Sequence, residues 1–218
     1  TIISVKEIGS KPSVGKAGLI IMQGNTHIRL GRMLADAFGI TGIERAAFLY
    51  GNIQPDLAVP SHLGEQTGHR MDGHNFGTAS VRVMALFYRL RYGCEGASDY
   101  FLLGKLCHYA ADCFTWAHNE NYPGTLSAHV SYEHRLDKRM RTKILQPVVP
   151  DELDGLSLPE FFFRAHQMYN KCQPGLERDA FFIRMVTGQI VGGFVEENEF
   201  LPECKVAGQT VRQIDGCI

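Results

Sequence analysis

The sequence predicts an all-α fold, in which a single domain over residues 1–218 forms a multi-helix bundle with its functional site in a cleft between helices. Three observations favour this class. No segment shows the sustained alternation of apolar and polar residues that a half-buried strand requires. Several long segments instead have apolar residues at helical spacing, and capping residues, glycines and prolines bound these segments. The chain has 218 residues, 44% of them hydrophobic, which is enough to bury a full core.

The first half of the chain is predicted to form an arm, three helices and a loop. In chain order these are an extended arm over 1–24, helices over Asn25–Phe38 and Gly42–Tyr50, a loop over Ala58–Gly73 and a helix over Phe76–Tyr92. Asn25 or Thr26 would cap the first helix, and Gly39 would end it. The Gly51–Pro55 segment is typical of a turn and would end the second helix. Pro60 and three glycines favour the loop.

The second half of the chain is predicted to contain the helices Ser98–His118, Thr125–Leu145, Ser157–Cys172 and Leu176–Glu197. The first of these is apolar on almost every face, which indicates that it is buried. Pro123 and Gly124 mark the turn that follows it. Ser157 and Glu160 have the spacing of a capping box, and Pro159 lies in the first turn of that helix.

The segment from 103 to 133 is the most informative one for function. It places five metal-capable side chains in 26 residues: His108, Asp112, His118, His129 and Glu133. Two of the pairs are four residues apart, which in a helix puts both side chains on one face at about 5–6 Å between Cβ atoms. An imidazole nitrogen and a carboxylate oxygen on adjacent turns can bind one cation, and zinc accepts both ligand types. Two such pairs joined by a third histidine indicate a cluster with more than one metal ion.

A single histidine–carboxylate pair at helical spacing is usually a surface hydrogen bond, so the surroundings of Asp112 decide between the two interpretations. The helix that carries Asp112 is predicted to be buried, and a buried carboxylate is costly unless it is paired or coordinated. The chain has no Lys or Arg between Lys105 and Arg135 that could pair with it locally. A metal ion is the simpler explanation. His134 and His166, by contrast, are interpreted as surface or packing residues.

These motifs resemble those of the zinc-dependent phospholipase C family. CHYAADCFTWAHN and AHVSYE have the family's His-x3-Asp-x5-His and His-x3-Glu spacings. NTHIRLGRMLAD resembles the first ligand-bearing helix, YGNIQPDL the aspartate motif, and GHNFGTASVRVMALFYRL the histidine that enters the next helix. The resemblance extends from about Gly24 to about Met140 and continues more weakly from Ser157 to Phe200. It implies an all-α fold related to the trinuclear-zinc nucleases.

The resemblance also implies two or three zinc ions per chain. One zinc would be bound by Asp56, His74, His108 and Asp112, a second by His118, His129 and Glu133, and a third by His27 together with bridging Asp112. His62 and His69 compete with His74, which is favoured because it directly precedes a helix and would be held more rigidly. In secreted family members an N-terminal tryptophan chelates the third zinc. Residue 1 is a threonine here, so we expect a third site that is weak, completed by waters, or completed by the arm folding back.

The activity that the resemblance implies is hydrolysis of a phosphodiester by a metal-activated hydroxide, with a phospholipid-like substrate as the first hypothesis. Asp56 would be a ligand and the general base. Phe76, Tyr109, Trp116 and Tyr122 are candidates for the pocket wall. Two alternatives stay open: a nuclease or nucleotide phosphatase with the same metal cluster, and a metal-binding protein without catalysis.

Charge and cysteine spacing bear on the partners and the compartment. The net charge of −1 argues against broad nucleic-acid binding, which needs many basic residues to neutralise phosphates. No apolar run approaches the roughly 18–20 residues that span a bilayer, and Gly18–Met22 is too short for a signal-peptide core. The six cysteines show no CxxC pairing. We expect a cytoplasmic protein with reduced cysteines that acts on a small phosphoester or a phospholipid, with at most transient contact with a membrane surface.

Overall fold

The computed structural model describes residues 16–57, 75–119, 121–141 and 149–195, and within these ranges it contains helices and no strand. The helices are α1 Lys16–Ala37, α2 Gly42–Leu57, α3 Phe76–Arg89, α4 Ala97–Cys113, α5 Leu126–Met140, α6 Leu158–Lys171 and α7 Leu176–Val195. Short 3-10 helices lie at Trp116–His118 and Asp151–Leu153. The all-α fold class is therefore confirmed. Among the described helices, none has the length and apolar character needed to cross a membrane.

Helix α4 lies at the centre of the helix packing and contacts α1, α2, α3 and α7. Its C-terminal half, from Leu103 to Cys113, is almost entirely buried, as its all-round apolar sequence predicts. Helix α7 covers one side of α4 and also packs against α5 and α6. An aromatic group fills the space between α4, α6 and α7, where the rings of Phe114 and Phe182 stack with 5.8 Å between centroids. The residues that follow α4 are therefore held against a rigid core.

The crossing of α2 and α4 is unusually close because two glycines meet there. A Cβ atom on Gly51 would overlap the carbonyl oxygen of Phe101, and one on Gly104 would overlap the carbonyl oxygen of Phe48. The Cβ position at Gly104 lies only 3.0 Å from the Cα atom of Gly51. This contact brings the backbone of α2 within hydrogen-bonding reach of side chains on α4, which matters for the site described below.

Helices α1 and α2 are both longer than the sequence predicts. Helix α1 begins at Lys16, so the predicted start at Asn25 is wrong, and residues 16–24 are helical and not an extended arm. No proline interrupts residues 16–24, so the helix can extend through them. Asn25 and Thr26 are residue types that often cap helices, but they cap a helix only where it begins. Helix α2 runs through the Gly51–Pro55 segment, so the predicted turn is also wrong. Packing of Gly51 against α4 outweighs the weak local preference of glycine for a turn.

Helix α4 is shorter than predicted, because it ends at Cys113 and not at His118. His118 instead belongs to the separate 3-10 helix Trp116–His118. Helix α3 ends at Arg89 and not at the predicted Tyr92. The starts of α5 and α6 agree closely with the sequence pattern: the Thr125 side chain accepts a hydrogen bond from Ala128 N–H, and Ser157 with Glu160 forms the expected capping box. The predicted loop Ala58–Gly73 lies outside the described residues, as do the predicted helix ends at Leu145 and Glu197.

Candidate metal centre

Six side chains with metal-binding atoms converge in two groups of three. The first group is His27 of α1 with His108 and Asp112 of α4, and the second is His118 of the 3-10 helix with His129 and Glu133 of α5. Within each group, one nitrogen or oxygen atom per residue lies within 4.8 Å of the corresponding atoms of the other two. Neither group is solvated, since five of these side chains are buried and Glu133 is nearly so.

Asp112 connects the two groups. Its Oδ1 lies 3.3 Å from Nε2 of His27 and 3.0 Å from Nδ1 of His118, whereas its Oδ2 lies 3.3 Å from Nε2 of His108. The side chain is 1% exposed, so these neighbours, and not water, set its electrostatic environment. A carboxylate with its two oxygens directed at different histidines has the arrangement of a ligand that bridges two cations.

Asp56 approaches the first group from α2. It lies in the last turn of that helix, and its Oδ1 is 3.6 Å from Nε2 of His108. Its Oδ2 is buried and has no hydrogen-bond partner among the described residues. A buried carboxylate oxygen without a partner is costly, and a bound cation or a water molecule would satisfy it.

Backbone carbonyls orient two of the histidines. Nδ1–H of His108 donates to the carbonyl of Asn52 at 2.9 Å, and Nδ1–H of His129 donates to the carbonyl of Ala117 at 2.9 Å. In both residues Nε2, the other ring nitrogen, faces the neighbouring carboxylates and is the atom that would bind a metal ion. Burial lowers the pKa of His108, which favours the neutral imidazole that binds metals. Histidines that bind metals are commonly held in this way by their second nitrogen.

The second group strongly stabilises positive charge. Burial alone would raise the pKa of Glu133, but hydrogen bonds from His118 and His129 lower it to about 2, so the carboxylate is ionised. Burial would likewise lower the pKa of His118, but the carboxylates of Asp112 and Glu133 raise it to about 10. A buried pair of carboxylates that stabilises a proton on an imidazole also provides the negative potential that a divalent cation requires.

The residues present fit zinc. The donor atoms are imidazole nitrogens and carboxylate oxygens, which zinc accepts in tetrahedral sites. A small cavity of about 20 Å³ lies between the groups and is lined by His27, Asp112, His118 and Glu133, together with apolar neighbours. Its volume is that of roughly one water molecule or ion. The buried Nδ1 of His27 also has no hydrogen-bond partner among the described residues.

A larger cavity of about 720 Å³ opens beside Asp112 and His118. Phe76, Trp116 and Arg178 contribute to its wall, as do the neutral polar side chains Asn119, Asn121 and Asn170. Small-molecule sites typically measure about 300–1,000 Å³ and combine apolar walls with a few polar groups. The arrangement therefore places a ligand-sized space directly against the two groups.

The aromatic and histidine side chains singled out from the sequence take different positions. Phe76 and Trp116 line the larger cavity, whereas Tyr109 packs edge-on against His108 and Tyr122 packs edge-on against Trp116. His134 is exposed. His166 is buried and stacks on Phe76 with 3.4 Å between ring centroids, in accordance with its interpretation as a packing residue.

Seven of the eight predicted ligands lie in the described part of the chain, and all seven take part in the contacts above. His74 and its competitors His62 and His69 lie outside the described residues. Sequence reasoning missed the backbone carbonyls of Asn52 and Ala117, which accept hydrogen bonds from His108 and His129, because a backbone carbonyl has no signature in the sequence. It also missed the buried carboxylate of Asp179. An acidic residue in the first turn of a helix is common, because it interacts favourably with the helix dipole, so its position alone does not indicate a further role.

A known protein family matches the part of the chain that contains the site. The sequence model of the family described as zinc dependent phospholipase C matches residues 26–175, which is more than half of the chain. That range includes both ligand groups and Asp56. Neither the curated proteins nor the solved structures yielded a match. The extent of the family match, together with the predicted resemblance, shows that this chain belongs to the zinc-dependent phospholipase C family.

Proposed function

We propose that this protein is a zinc-dependent phosphoric diester hydrolase with phospholipase C-like activity. The observation that carries the proposal is the position of Asp112 beside a cavity of about 720 Å³. Its Oδ1 faces His27 and His118 and its Oδ2 faces His108, at 3.0–3.3 Å. Two metals joined by a carboxylate can clamp the oxygens of a phosphate that undergoes in-line displacement. The larger cavity would hold the group attached to that phosphate.

The proposed ligands follow the division that the resemblance implies. Asp56, His108 and Asp112 would hold one zinc with His74, and His118, His129 and Glu133 would hold a second. His27 would hold a third together with Asp112, whose Oδ1 it approaches from α1. Four protein ligands close a tetrahedral zinc, whereas three leave a position open. We therefore expect two or three zinc ions per chain.

The chemistry divides between the metal and the side chains. When bound, zinc lowers the pKa of water towards about 7 and polarises phosphoryl oxygens. Asp56 is the proposed general base, because its partnerless Oδ2 is available to accept a proton at the edge of the site. Oε1 of Glu133 lies 2.9 Å from Nε2 of both His118 and His129, so the three donor atoms that would hold the second zinc already lie close together.

A lipid-like diester is favoured over nucleic acid. Among the residues that the structure describes, Arg178 is the charged side chain that lines the larger cavity outside the ligand groups, and Asp179 neutralises it at 3.0 Å. A groove for nucleic acid requires a track of basic residues and stacking platforms. The four cysteines that the structure describes as free support a reducing, cytoplasmic location, which we also propose.

The direct test is hydrolysis by zinc-loaded protein of bis-p-nitrophenyl phosphate, phosphatidylcholine micelles and single-stranded DNA. We expect turnover of the generic diester and the micelles and its loss after chelation. Asp56→Asn should lower kcat by about 10²–10⁴-fold, the usual range for a general base. His134→Ala, on the exposed face of α5 beside Glu133, is the matched control and should keep full activity.

The three substrates also separate the alternatives. If the protein hydrolyses single-stranded DNA faster than phosphatidylcholine, it is a nuclease and not a phospholipase. Absence of turnover on every diester, with at least two zinc ions per chain verified, would leave a metal-binding protein without catalysis.

A further inference from the structure

Asp179 of α7 is a fully buried carboxylate that belongs to neither ligand group, and it accepts hydrogen bonds on both oxygens. Its Oδ2 accepts from the backbone N–H of Trp116 at 2.6 Å and from the hydroxyl of Tyr132 at 2.8 Å. Its Oδ1 accepts from the hydroxyl of Tyr169 at 3.0 Å and from the guanidinium of Arg178 at 3.0–3.1 Å. One side chain of α7 therefore joins α5, α6 and the 3-10 helix Trp116–His118.

The partners of Oδ2 stand next to the second ligand group in the chain. Trp116 begins the 3-10 helix that carries His118, and the carbonyl of the next residue, Ala117, accepts the Nδ1–H of His129 at 2.9 Å. Tyr132 directly precedes Glu133 on α5. The two hydrogen bonds to Oδ2 therefore fix the backbone segments that carry all three members of this group. The partners of Oδ1, on α6 and α7, carry none of them.

We propose that Asp179 is a positioning residue for the zinc site formed by His118, His129 and Glu133. The inference rests on the proposed function, in that it takes this group to bind zinc. Asp179 acts through Trp116 and Tyr132, and it contacts neither the metal nor the substrate. Its role is to hold the 3-10 helix and α5 in the relative position that lets ligands from both converge.

A carboxylate is required at this position and an amide does not replace it. Trp116 N–H and the Arg178 guanidinium can only donate, and they face different oxygens of Asp179. An asparagine would direct its NH₂ group at one of these two donors in either orientation. It would also remove the charge that balances Arg178, whose side chain is only 7% exposed. The two tyrosine hydroxyls can rotate, so they do not impose this requirement.

Two substitutions at the tyrosines separate positioning from general stability. Tyr132→Phe and Tyr169→Phe each remove one buried hydroxyl that donates to Asp179, at 2.8 and 3.0 Å. Only Tyr132 lies on a helix that carries proposed ligands. Tyr169→Phe is therefore the control: it removes a hydroxyl that donates to the same carboxylate, and in addition the acceptor of a 2.7 Å hydrogen bond from Arg178, but it has no connection to the ligand group.

The experiment is a competition between the zinc-loaded protein and a chromophoric chelator, which gives the affinity of each bound zinc ion. We expect Asp179→Asn to weaken one zinc by about 10–100-fold, the range found when residues that orient metal ligands are removed. Tyr132→Phe should weaken the same zinc to a lesser degree, and Tyr169→Phe should bind zinc as the wild type does. Melting curves of the zinc-free proteins would report the stability of each variant separately.

Equal zinc affinity in wild type and Asp179→Asn, or an equal loss in Tyr132→Phe and Tyr169→Phe, would overturn the positioning role. If Asp179→Asn does not fold, the comparison of the two tyrosine variants still decides. Glu133→Gln is the reference that separates the two proposals. If Glu133→Gln loses no zinc, the group of His118, His129 and Glu133 does not bind metal. In that case the proposed function fails together with the positioning role.

Discussion

Asp112 contacts histidines of both ligand groups, whereas Glu133 contacts histidines of the second group. The contacts of Asp112 reach His27 and His118 through Oδ1 and His108 through Oδ2. Glu133 contacts His118 and His129 through a single oxygen. Substitutions at these two carboxylates should therefore have effects of different extent.

We expect Asp112→Asn to lose zinc from the two sites that Asp112 is proposed to bridge, those of His108 and His27. Glu133→Gln should lose zinc only from the site that Glu133 shares with His118 and His129. Because metal binding is coupled to folding, Asp112→Asn should also lower the melting temperature further than Glu133→Gln does. Removing one partner of a buried charged pair typically costs about 3–5 kcal/mol. Zinc per chain, measured by elemental analysis after dialysis, checks the expectation. Full zinc content in Asp112→Asn would contradict the bridging position.

At the level of elements, the close crossing of α2 and α4 holds Asn52 against His108. The carbonyl of Asn52 is in reach only because Gly51 and Gly104 let the two backbones touch. A side chain at either glycine would force the helices apart and break this hydrogen bond. The orientation of His108 thus depends on residues that have no metal-binding chemistry.

Gly51→Ala should destabilise the protein by at least about 1–3 kcal/mol, the usual cost of overpacking, since its Cβ would meet the Phe101 carbonyl. Gly188→Ala is the matched control within α7, because an added Cβ there meets nothing within 4 Å. That change should be neutral or stabilising by about 0.5–1 kcal/mol, since alanine favours a helix. Urea unfolding of both variants checks the difference. Equal stability of the two variants would contradict the close crossing.

Asp137 ties α5 to α1 and gives the protein a pH-dependent contact away from the ligand groups. Burial would raise the pKa of Asp137, but hydrogen bonds and charges from Arg29 and Arg141 lower it below its ordinary value of 3.8. Both arginines lie 2.8 Å from the carboxylate. A carboxyl whose pKa is lowered on folding stabilises the native state above its unfolded pKa, and this contribution is lost as the pH falls through its folded pKa.

Asp137→Asn should therefore cost about 1–3 kcal/mol at neutral pH, as expected for hydrogen bonds to a charged group. The difference between wild type and variant should shrink as the pH falls below 3.8. Urea unfolding at a series of pH values down to about 2.5 checks this, since the linkage relation gives the slope. A difference that stays constant across the series would show that the charge on Asp137 contributes nothing.

For the whole molecule, the sequence predicts those features that depend on neighbours in the chain. The pairs His108–Asp112 and His129–Glu133 lie one helical turn apart, so helical geometry alone brings each pair together. The capping box at Ser157 is likewise local, and it is present as predicted. The family resemblance supplied the order of the motifs, and the family match confirms it.

The features that the sequence did not predict depend on contacts between distant segments. Helix α2 continues past Gly51 because that glycine packs on Gly104 of another helix. His118 lies in a separate 3-10 helix and not in α4, and the first residue of that helix, Trp116, donates a hydrogen bond to Asp179 of α7. In each case contacts between distant segments outweigh a local preference, and such contacts cannot be predicted from the residues next to them in the sequence.

The most direct measurement of the central claim is anomalous diffraction from crystals of the zinc-loaded protein, with data above and below the zinc absorption edge. We expect at least two anomalous peaks on opposite sides of Asp112, each within about 2.0–2.2 Å of its ligands. One peak should lie among His118, His129 and Glu133, and another should lie between Asp112 and His108. A third peak, if that site is filled, should lie between Asp112 and His27. A single peak away from Asp112, or peaks only at surface histidines such as His134, would contradict a zinc cluster bridged by Asp112.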